Sequence, residues 1–261
     1  TIPNTVRQAS NNGFYIGGGR TISEITRSTI NVNGNASGDN NNIGIVVGNT
    51  STQAKITKTE NLTITLDTTN AKSDTTGTGI YMYNGDVTLG KATKLTGSGG
   101  NDVFVTIRNR DYTNTLTMDG NTGSGNSTGI VGTGANNIGI NIQEGNSHNT
   151  HHTVLKIDGQ PGWAVNFVGT DNVGIQNNQF ANDFTIINKS AATPAAPGGG
   201  GAGSMRIDGE KGIMFANLGY VHEGKLKLDG VSMVGKNSTI AAFLNNNYNK
   251  NTAVNRTTAN T

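Results

Sequence analysis

The sequence predicts an all-β protein folded as a parallel β-helix (β-solenoid). Three observations carry this prediction: the composition, the spacing of apolar residues and two recurring turn phrases. The 261 residues include 38 Gly, 38 Asn and 36 Thr, whereas hydrophobic residues make up 33% and charged residues 14%. Gly and Asn favour turns and Thr favours strands, so a mostly helical protein is excluded. The net charge of +2 is far below the high net charge typical of disordered chains.

Short runs of the sequence place apolar residues at every second position, which is the period of a strand with one buried face. We therefore expect strands along most of the chain. No apolar stretch approaches the ~18 residues of a membrane-spanning helix, so we expect no membrane insertion by this segment. The alternating runs are Ile30/Val32, Ile43/Ile45/Val47, Leu62/Ile64/Leu66, Ile80/Met82, Val103/Val105/Ile107, Ile138/Ile140/Ile142, Leu155/Ile157 and Leu226/Leu228.

Two turn phrases recur between these runs. The first ends a strand with Asp or Asn before Gly, as in LTMDG at 116–120 and LKIDG at 155–159. The second opens a strand with Gly-Ile, as in NNIGI at 41–45 and again at 136–140. A repeated strand–turn–strand–turn unit cannot bury its own apolar face, so successive coils must stack and share one core. At roughly 20–25 residues per coil, the length predicts about ten to twelve coils.

The turn residues between the strands are rich in Asn and Asp, which tolerate left-handed backbone and bond their own turn. We therefore expect Asn137 to be a corner residue at which Asp costs well below about 1 kcal/mol. Ile140, three residues later, is expected to face the shared core, where a charge is costly.

An antiparallel sandwich or barrel is the competing fold. Asn84 and Gly85 stand between two alternating runs in GIYMYNGDVTLG at 79–90, and Asn-Gly is a strong signal for a two-residue hairpin. This single site predicts a local hairpin, whereas the repeated phrases favour the solenoid for the chain as a whole.

The predicted organisation is a single β-solenoid segment over 1–261, with coils at 13–189 and 205–245. The sequence SAATPAAPGGGGAGS at 190–204 has no apolar period, and it predicts an irregular loop. The polar residues 246–261 predict a weakly patterned tail.

The Gly/Asn/Thr-rich strand–turn phrases, the IGI and GIYM strand openings, the absence of Cys and the small net charge resemble the passenger segments of type V autotransporters. These are surface-exposed β-solenoid proteins of Gram-negative bacteria, many of them adhesins. The resemblance covers most of 13–245. It implies an extracellular segment at the bacterial cell surface, within a longer chain that carries a translocator barrel. It also implies an adhesin or structural role in which loops meet a protein or glycan on a host cell or bacterium.

The resemblance carries over no catalytic residues, because the sequence has no serine-protease motif to match. We therefore expect no enzyme activity and no cofactor. Lys and Arg are spread thinly without a cluster, so nucleic acid is not an expected partner.

The binding residues are expected in an irregular insertion. The segment 144–152 is favoured over the Gly-rich 190–204, because ordering a flexible loop costs about 1–2 kcal/mol of backbone entropy per residue. Three of the four histidines of the chain lie in the favoured segment and could share a zinc ion, but an exposed polar loop is the preferred interpretation. The expected binding residues are Glu144, Asn146, His148, His151 and His152.

One approximate copy of a calcium-binding nonapeptide, at 97–104, has no second copy after it. Such sites need successive copies, so an ordinary Gly-rich corner is expected there. No metal site is therefore predicted at either place.

The alternative function is that of a polysaccharide-processing β-helix, either a lyase or a glycosidase like those of phage tailspikes. Glycoside hydrolysis needs a pair of carboxylates at a controlled separation, but each candidate acid stands in a turn phrase where Asp bonds its own backbone. Tyr81, Tyr83, Trp163 and Phe167 are the candidates for stacking on sugars. Trp163 and Phe167 share a strand face, however, which predicts core or cap in preference to a sugar platform. The candidate acids are Asp67, Asp119, Asp158, Asp208 and Asp229.

Overall fold

In the residues that the structure describes, all of the regular secondary structure is β-strand. A computed structural model describes residues 10–17, 19–33, 41–49, 51–67, 77–108, 113–119, 129–143, 151–158, 163–178, 182–188, 203–217, 226–231, 233–237, 241–247 and 255–257. No helix in this part of the chain is long and apolar enough to cross a membrane.

The strands are β1 (Ser10–Ile16), β2 (Thr21–Ile22), β3 (Ile25–Asn33), β4 (Asn41–Val47), β5 (Ala54–Ile56), β6 (Thr59–Asp67), β7 (Thr78–Met82), β8 (Gly85–Leu89), β9 (Lys94–Gly97), β10 (Val103–Arg108), β11 (Asn114–Asp119) and β12 (Gly129–Thr133). They continue with β13 (Ile138–Gln143), β14 (His151–Asp158), β15 (Trp163–Val168), β16 (Val173–Asn177), β17 (Asn182–Asn188), β18 (Gly203–Asp208), β19 (Ile213–Asn217), β20 (Leu226–Asp229), β21 (Met233–Lys236), β22 (Ala241–Asn247) and β23 (Asn255–Thr257).

The strands form three sheets, and each sheet takes every third strand. Sheet A runs β1-β4-β7-β10-β13-β16-β19-β22-β23, sheet B runs β2-β5-β8-β11-β14-β17-β20, and sheet C runs β3-β6-β9-β12-β15-β18-β21. Successive turns pair in parallel, as β10 does with β7 and β13, whereas β22 and β23 pair antiparallel. The chain is therefore a parallel β-helix, as predicted.

The helix has seven complete turns of three strands each in the described residues, from β1–β3 (turn 1) to β19–β21 (turn 7). The expectation of ten to twelve coils is wrong. Each turn contains three strands and the segments that connect them, so most turns are longer than the assumed length of roughly 20–25 residues. Ile80 and Val105 are 25 residues apart, whereas Ile45 pairs with Ile80, 35 residues later, and Ile175 pairs with Phe215, 40 residues later.

The core is one continuous column of apolar side chains inside the helix. The alternating runs point the expected residues inward, so one side chain of each sheet stacks on the equivalent side chain of the next turn. These residues are at most 2% exposed. The stacks are Ile45, Ile80, Val105, Ile140 and Ile175 in sheet A, Ile56, Val87, Leu116, Leu155 and Ile186 in sheet B, and Ile64, Leu95, Ile130, Val165 and Met205 in sheet C.

In the middle of the core, large phenylalanine rings pack where the neighbouring sheet has glycine. A Cβ at Gly79 would lie 2.6 Å from the carbonyl oxygen of Phe104, so this inward position on β7 has room only for glycine. On the next turn Phe104 fills the equivalent position, and Gly97 and Gly132 of sheet C make the space for its ring. The ring of Phe167 packs 5.5 Å from that of Phe104. Phe167 is therefore core, as expected; the side chain of Trp163 lies outside the described residues.

The corner between sheets C and A uses left-handed backbone, as the Asn-rich turns predict. The residue at this corner has a positive φ on four successive turns, and three of the four are Asn or Asp, the non-glycine types that adopt this conformation most easily. The four are Asn101 (58°), Asn136 (59°), Asp171 (56°) and Lys211 (54°).

After the first three of these corner residues, the next side chain points inward, and the three side chains, of Asp102, Asn137 and Asn172, form a buried ladder. The backbone N–H of Asp102 donates to Asn137 Oδ1 at 3.2 Å, and that of Asn137 donates to Asn172 Oδ1 at 2.9 Å. Asn137 Nδ2 donates to the carbonyls of Thr133 and Gly134, both at 3.3 Å. Asn137 is 0% exposed. These contacts lead us to predict a larger cost for Asp at this position than the sequence did, because Asp would lose both donated bonds and bury a charge beside two carbonyls.

Asn84 and Gly85 form a corner between sheets A and B, so the expectation of a local hairpin is wrong. The strand before them, β7, pairs with β4 and β10, whereas the strand after them, β8, pairs with β5 and β11. The buried side chain of Asn84 donates to the carbonyl of Asn49 at 2.7 Å. The N–H of Gly85 donates to Asn114 Oδ1 at 2.8 Å. These bonds cross between turns and take the place of hairpin pairing.

The predicted segment boundaries fall partly outside the described residues. Of the expected loop at 190–204, residues 190–202 are among those not described, and β18 begins at Gly203. The expected tail at 246–261 contains the end of β22 and the short strand Asn255–Thr257.

Candidate binding face

The predicted loop residues are only partly within the described structure. Glu144, Asn146 and His148 lie outside it. His151 and His152 are the first two residues of β14, in register with β17, so this end of the expected loop is a strand; their side chains are not described. The assignment of binding to 144–152 stays a prediction.

The five candidate acids do not gather at one place. Asp67 and Asp208 end strands of sheet C, whereas Asp119, Asp158 and Asp229 end strands of sheet B. Asp119 and Asp158 are the two of the five that pair directly across neighbouring turns.

Asp208 has a structural environment of its own. Its carboxylate accepts a bond from Arg206 Nη2 at 3.0 Å, and Lys236 Nζ lies 3.7 Å away. Asn237 Nδ2 also donates to it. Asp208 therefore holds together the ends of β18 and β21.

The Gly-rich segment 97–104 forms a corner, as expected. Asp102 points into the buried ladder rather than toward solvent, with its side chain 0% exposed. Among the described residues, no group of three or more His, Cys, Asp or Glu side chains could hold a metal ion.

The outward face of sheet A carries two tyrosines beside a field of amides. Because Ile80 and Met82 point into the core, alternation places Tyr81 on the outside of β7, and Tyr83 follows the strand end. On the next three turns the equivalent positions are polar, and two of them, Thr106 and Asn141, are buried at 2% and 8% exposed. We call these eight residues the tyrosine–amide face: Tyr81, Thr106, Asn141 and Gln176 in one column, and Tyr83, Arg108, Gln143 and Asn178 in the other.

Hydrogen bonds along the helix axis fix the side chains of this face. The rings of Tyr81 and Tyr83 lie 4.7 Å apart at 44°. The Tyr81 hydroxyl donates to Gln143 Oε1 at 3.0 Å, two turns away. Asn178 Nδ2 donates to Asn141 Oδ1 at 2.9 Å on the preceding turn. The face therefore spans turns 3 to 6 as one connected surface.

The electrostatics of the face are those of a neutral surface with one cation. Burial raises the pKa of Tyr81, and the neighbouring Tyr83 raises it further, whereas Arg108 acts in the opposite direction. Tyr81 therefore stays a neutral phenol at neutral pH. Arg108 is the one charged side chain of the eight, and none of the eight is acidic.

Two further surfaces are grooves at the corners of the helix. One groove of about 410 Å³ is lined by Arg20, Thr21, Ser51, Lys55 and Asp86, among others. Its lining mixes both charge signs and contains no aromatic ring, so it offers fewer recognition elements than the tyrosine–amide face.

The other groove lies between sheets B and C, beside an ion-pair cluster. Lys58 Nζ lies 2.9 Å from both Glu24 Oε1 and Glu60 Oε2. Hydrogen bonds to these two carboxylates raise the pKa of Lys58 above its usual range. The hydrogen bond from Lys58 lowers the pKa of Glu60. Exposed pairs of this kind contribute little to stability.

Sequence reasoning found the tyrosines but missed their partners. A usable signal was present: when the strands are aligned on the Gly-Ile phrase, Arg108, Gln143 and Asn178 fall three residues after the central apolar residue, as Tyr83 does after Ile80. In β10, Phe104 stands in place of the glycine of the phrase. That strand can therefore be aligned with the others only by the alternation of its apolar residues.

No protein-family model, curated protein or solved structure matches the chain.

Proposed function

We propose that this chain is an extracellular adhesin or structural passenger segment that contacts a ligand on a host or bacterial surface. In this proposal it belongs to a longer exported chain, acts as a binding module rather than an enzyme, and meets its ligand on the tyrosine–amide face. The observation that carries the proposal is the pairing of two partly exposed tyrosines with amide and guanidinium groups on four successive turns.

A β-helix suits this role because its outward side chains stand on strands whose spacing is fixed by backbone pairing. A site on such elements needs no loop to become ordered on binding, so the entropy cost of about 1–2 kcal/mol per residue is avoided. The predicted binding loop fits the same place, because Glu144 directly follows Gln143 of the face.

The test is attachment of beads coated with the purified chain to host or bacterial cells. We expect Tyr83→Ala to reduce attachment at least about tenfold, since aromatic contacts dominate many binding sites. Val168→Ala is the control, because Val168 is exposed on sheet C, away from the face. Equal attachment by all three proteins, with unchanged thermal unfolding, would contradict the proposal.

A polysaccharide-processing enzyme is a second candidate, favoured by the direct pairing of Asp119 with Asp158. Neighbouring strands lie about 4.8 Å apart, which is compatible with the about 5–5.5 Å between carboxyl groups in retaining glycosidases. Release of reducing sugars from bacterial or host polysaccharides by the purified chain, lost in Asp119→Asn, would replace the binding proposal with this one.

A further inference from the structure

Resting on the proposed function, we infer that the ligand of the tyrosine–amide face is a chain of acidic sugars. The sugar rings pack on Tyr81 and Tyr83, and a carboxylate of the chain pairs with Arg108. The sugars run along the helix axis, parallel to the two columns of the face.

The tyrosine pair provides the apolar contact that a sugar ring needs. The C–H groups of a pyranose pack on an aromatic ring, while its hydroxyls seek hydrogen bonds around the rim. The two rings are tilted by 44° to each other, so together they form an angled surface rather than a flat one. The bond to Gln143 holds the Tyr81 ring in place before any ligand arrives. This preorganisation removes part of the entropy cost of binding.

The amide columns provide the polar contacts at a spacing that suits a polymer. Thr106, Asn141 and Gln176 follow Tyr81 on successive turns in register. Parallel strands lie about 4.7–4.9 Å apart, which is close to the length of one pyranose unit. Thr106 and Asn141 are buried beneath the surface, whereas Gln143, Gln176 and Asn178 are partly exposed and offer amide donors and acceptors on turns 5 and 6. Affinity should therefore rise with chain length until these turns are covered.

The positive charge of Arg108 favours a sugar that carries a carboxylate. Arg108 follows Tyr83 on the next turn, and its guanidinium can bind a carboxylate through two parallel hydrogen bonds. None of the other seven side chains is acidic, and the partner of Arg108 within the face is the neutral hydroxyl of Tyr81, which a carboxylate can replace. A carboxylated sugar is therefore preferred over a neutral sugar of the same shape.

The experiment compares a tetramer of galacturonic acid with its methyl ester, which keeps the rings and removes the charge. Isothermal titration calorimetry at low salt should show the acid binding at least about tenfold more tightly, with the difference reduced at 1 M salt. Arg108→Gln should lower the affinity for the acid to that for the ester, and it should leave the affinity for the ester unchanged. Tyr83→Ala should weaken both ligands at least about tenfold.

Lys94→Gln is the matched control, because Lys94 is an exposed cation on sheet C. It should change neither affinity, and thermal unfolding of every variant should match the wild type. A smaller oligomer, the dimer, should bind more weakly than the tetramer.

Two results overturn this inference. Equal affinity for acid and ester, or an unchanged affinity of Arg108→Gln for the acid, shows that the face does not select an acidic sugar. If neither oligomer binds while Tyr83→Ala still abolishes attachment to cells, the ligand is a protein or another glycan and the proposed function stands. If Tyr83→Ala leaves attachment unchanged, the proposed function fails, whatever the oligomers do.

Discussion

The middle and the end turns of this β-helix follow the same strand pattern, but their inward-facing side chains are buried to different degrees. Ile45 and Ile140 are at most 1% exposed. Phe14 stands in register with Ile45 on turn 1 and is 47% exposed, and Leu228 stands in register with buried Ile186 on turn 7 and is 39% exposed. Coverage at the end turns is therefore uneven, because each turn buries the faces of its neighbours. Val32 on turn 1 is 0% exposed although β3 pairs with β6 alone, whereas Phe14 and Leu228 are left partly open. The tyrosine–amide face lies on turns 3 to 6, where the support is complete.

The largest effect that separates the two regions is a buried charge. Ile140→Asp should cost more than about 3 kcal/mol, because it places an unpaired carboxylate in the core. Leu228→Asp should cost less than about 1 kcal/mol, because that side chain is already partly in water. Urea denaturation measures both, and Ile140→Val, expected near about 1 kcal/mol, serves if the charged variant does not fold. Similar losses for the two Asp variants would remove the distinction between middle and end.

The next effect compares two adjacent residues of one middle corner. Asn137→Asp should cost about 2–3 kcal/mol, because two donated hydrogen bonds are lost inside the protein. Asn136→Asp should cost less than about 0.5 kcal/mol, because Asn136 is exposed and Asp also adopts its left-handed backbone. Denaturation midpoints of the two variants give the comparison. A reversed order would mean that the buried ladder does not stabilise the corner.

The sequence predicts the residues of the core better than it predicts those of the tyrosine–amide face. Alternation identified Ile45 and Ile140 correctly, because strand period alone decides which side chains point inward. The predicted number of turns was wrong because roughly 20–25 residues were assumed for each turn, whereas partners such as Ile45 and Ile80 are 35 residues apart. The Asp-Gly phrase could not supply the number, since it ends strands of two different sheets, as at Asp119 in sheet B and Asp208 in sheet C. The phrase therefore marks strand ends and does not count turns.

The binding face was missed because it depends on register between turns, and the Gly-Ile phrase recovers that register only for strands that contain it. Tyr81 and Gln143 are 62 residues apart and meet across two turns. The intervals between successive turns vary with the length of the connecting segments, so no fixed period in the sequence brings these residues together. The pairing of β7, β10 and β13 decides it.

A smaller effect is expected from the glycines of sheet A. A Cβ at Gly79 in turn 3 and one at Gly13 in turn 1 would each lie 2.6 Å from a carbonyl oxygen of the following turn. Gly79→Ala should cost about 1–3 kcal/mol, since overpacking in a closed core forces the backbone to shift. Gly13→Ala should cost clearly less, because turn 1 has a described neighbour on one side only and can move away. Thermal unfolding of both variants measures this, and equal losses would show that turn 1 is as constrained as turn 3.

The smallest effect is expected at the exposed ion pairs. Since Lys58 lowers the pKa of Glu60 below its usual value of 4.5, the pair stabilises the fold above that pH and loses this contribution as the pH falls through the lowered pKa. Glu60→Gln should therefore lower the melting temperature slightly at pH 7. The difference from the wild type should disappear in strong acid and at about 1 M salt. A large difference that survives both conditions would contradict this account of a solvated pair.

Hydrogen–deuterium exchange of the wild-type chain tests most directly the claim that the middle turns are supported more completely than the end turns. We predict the slowest exchange in β7, β10, β13 and β16, which carry the tyrosine–amide face, and progressively faster exchange toward β1 at one end and β20 and β21 at the other. Uniform protection from β1 to β21, or the slowest exchange in a terminal turn, would contradict it.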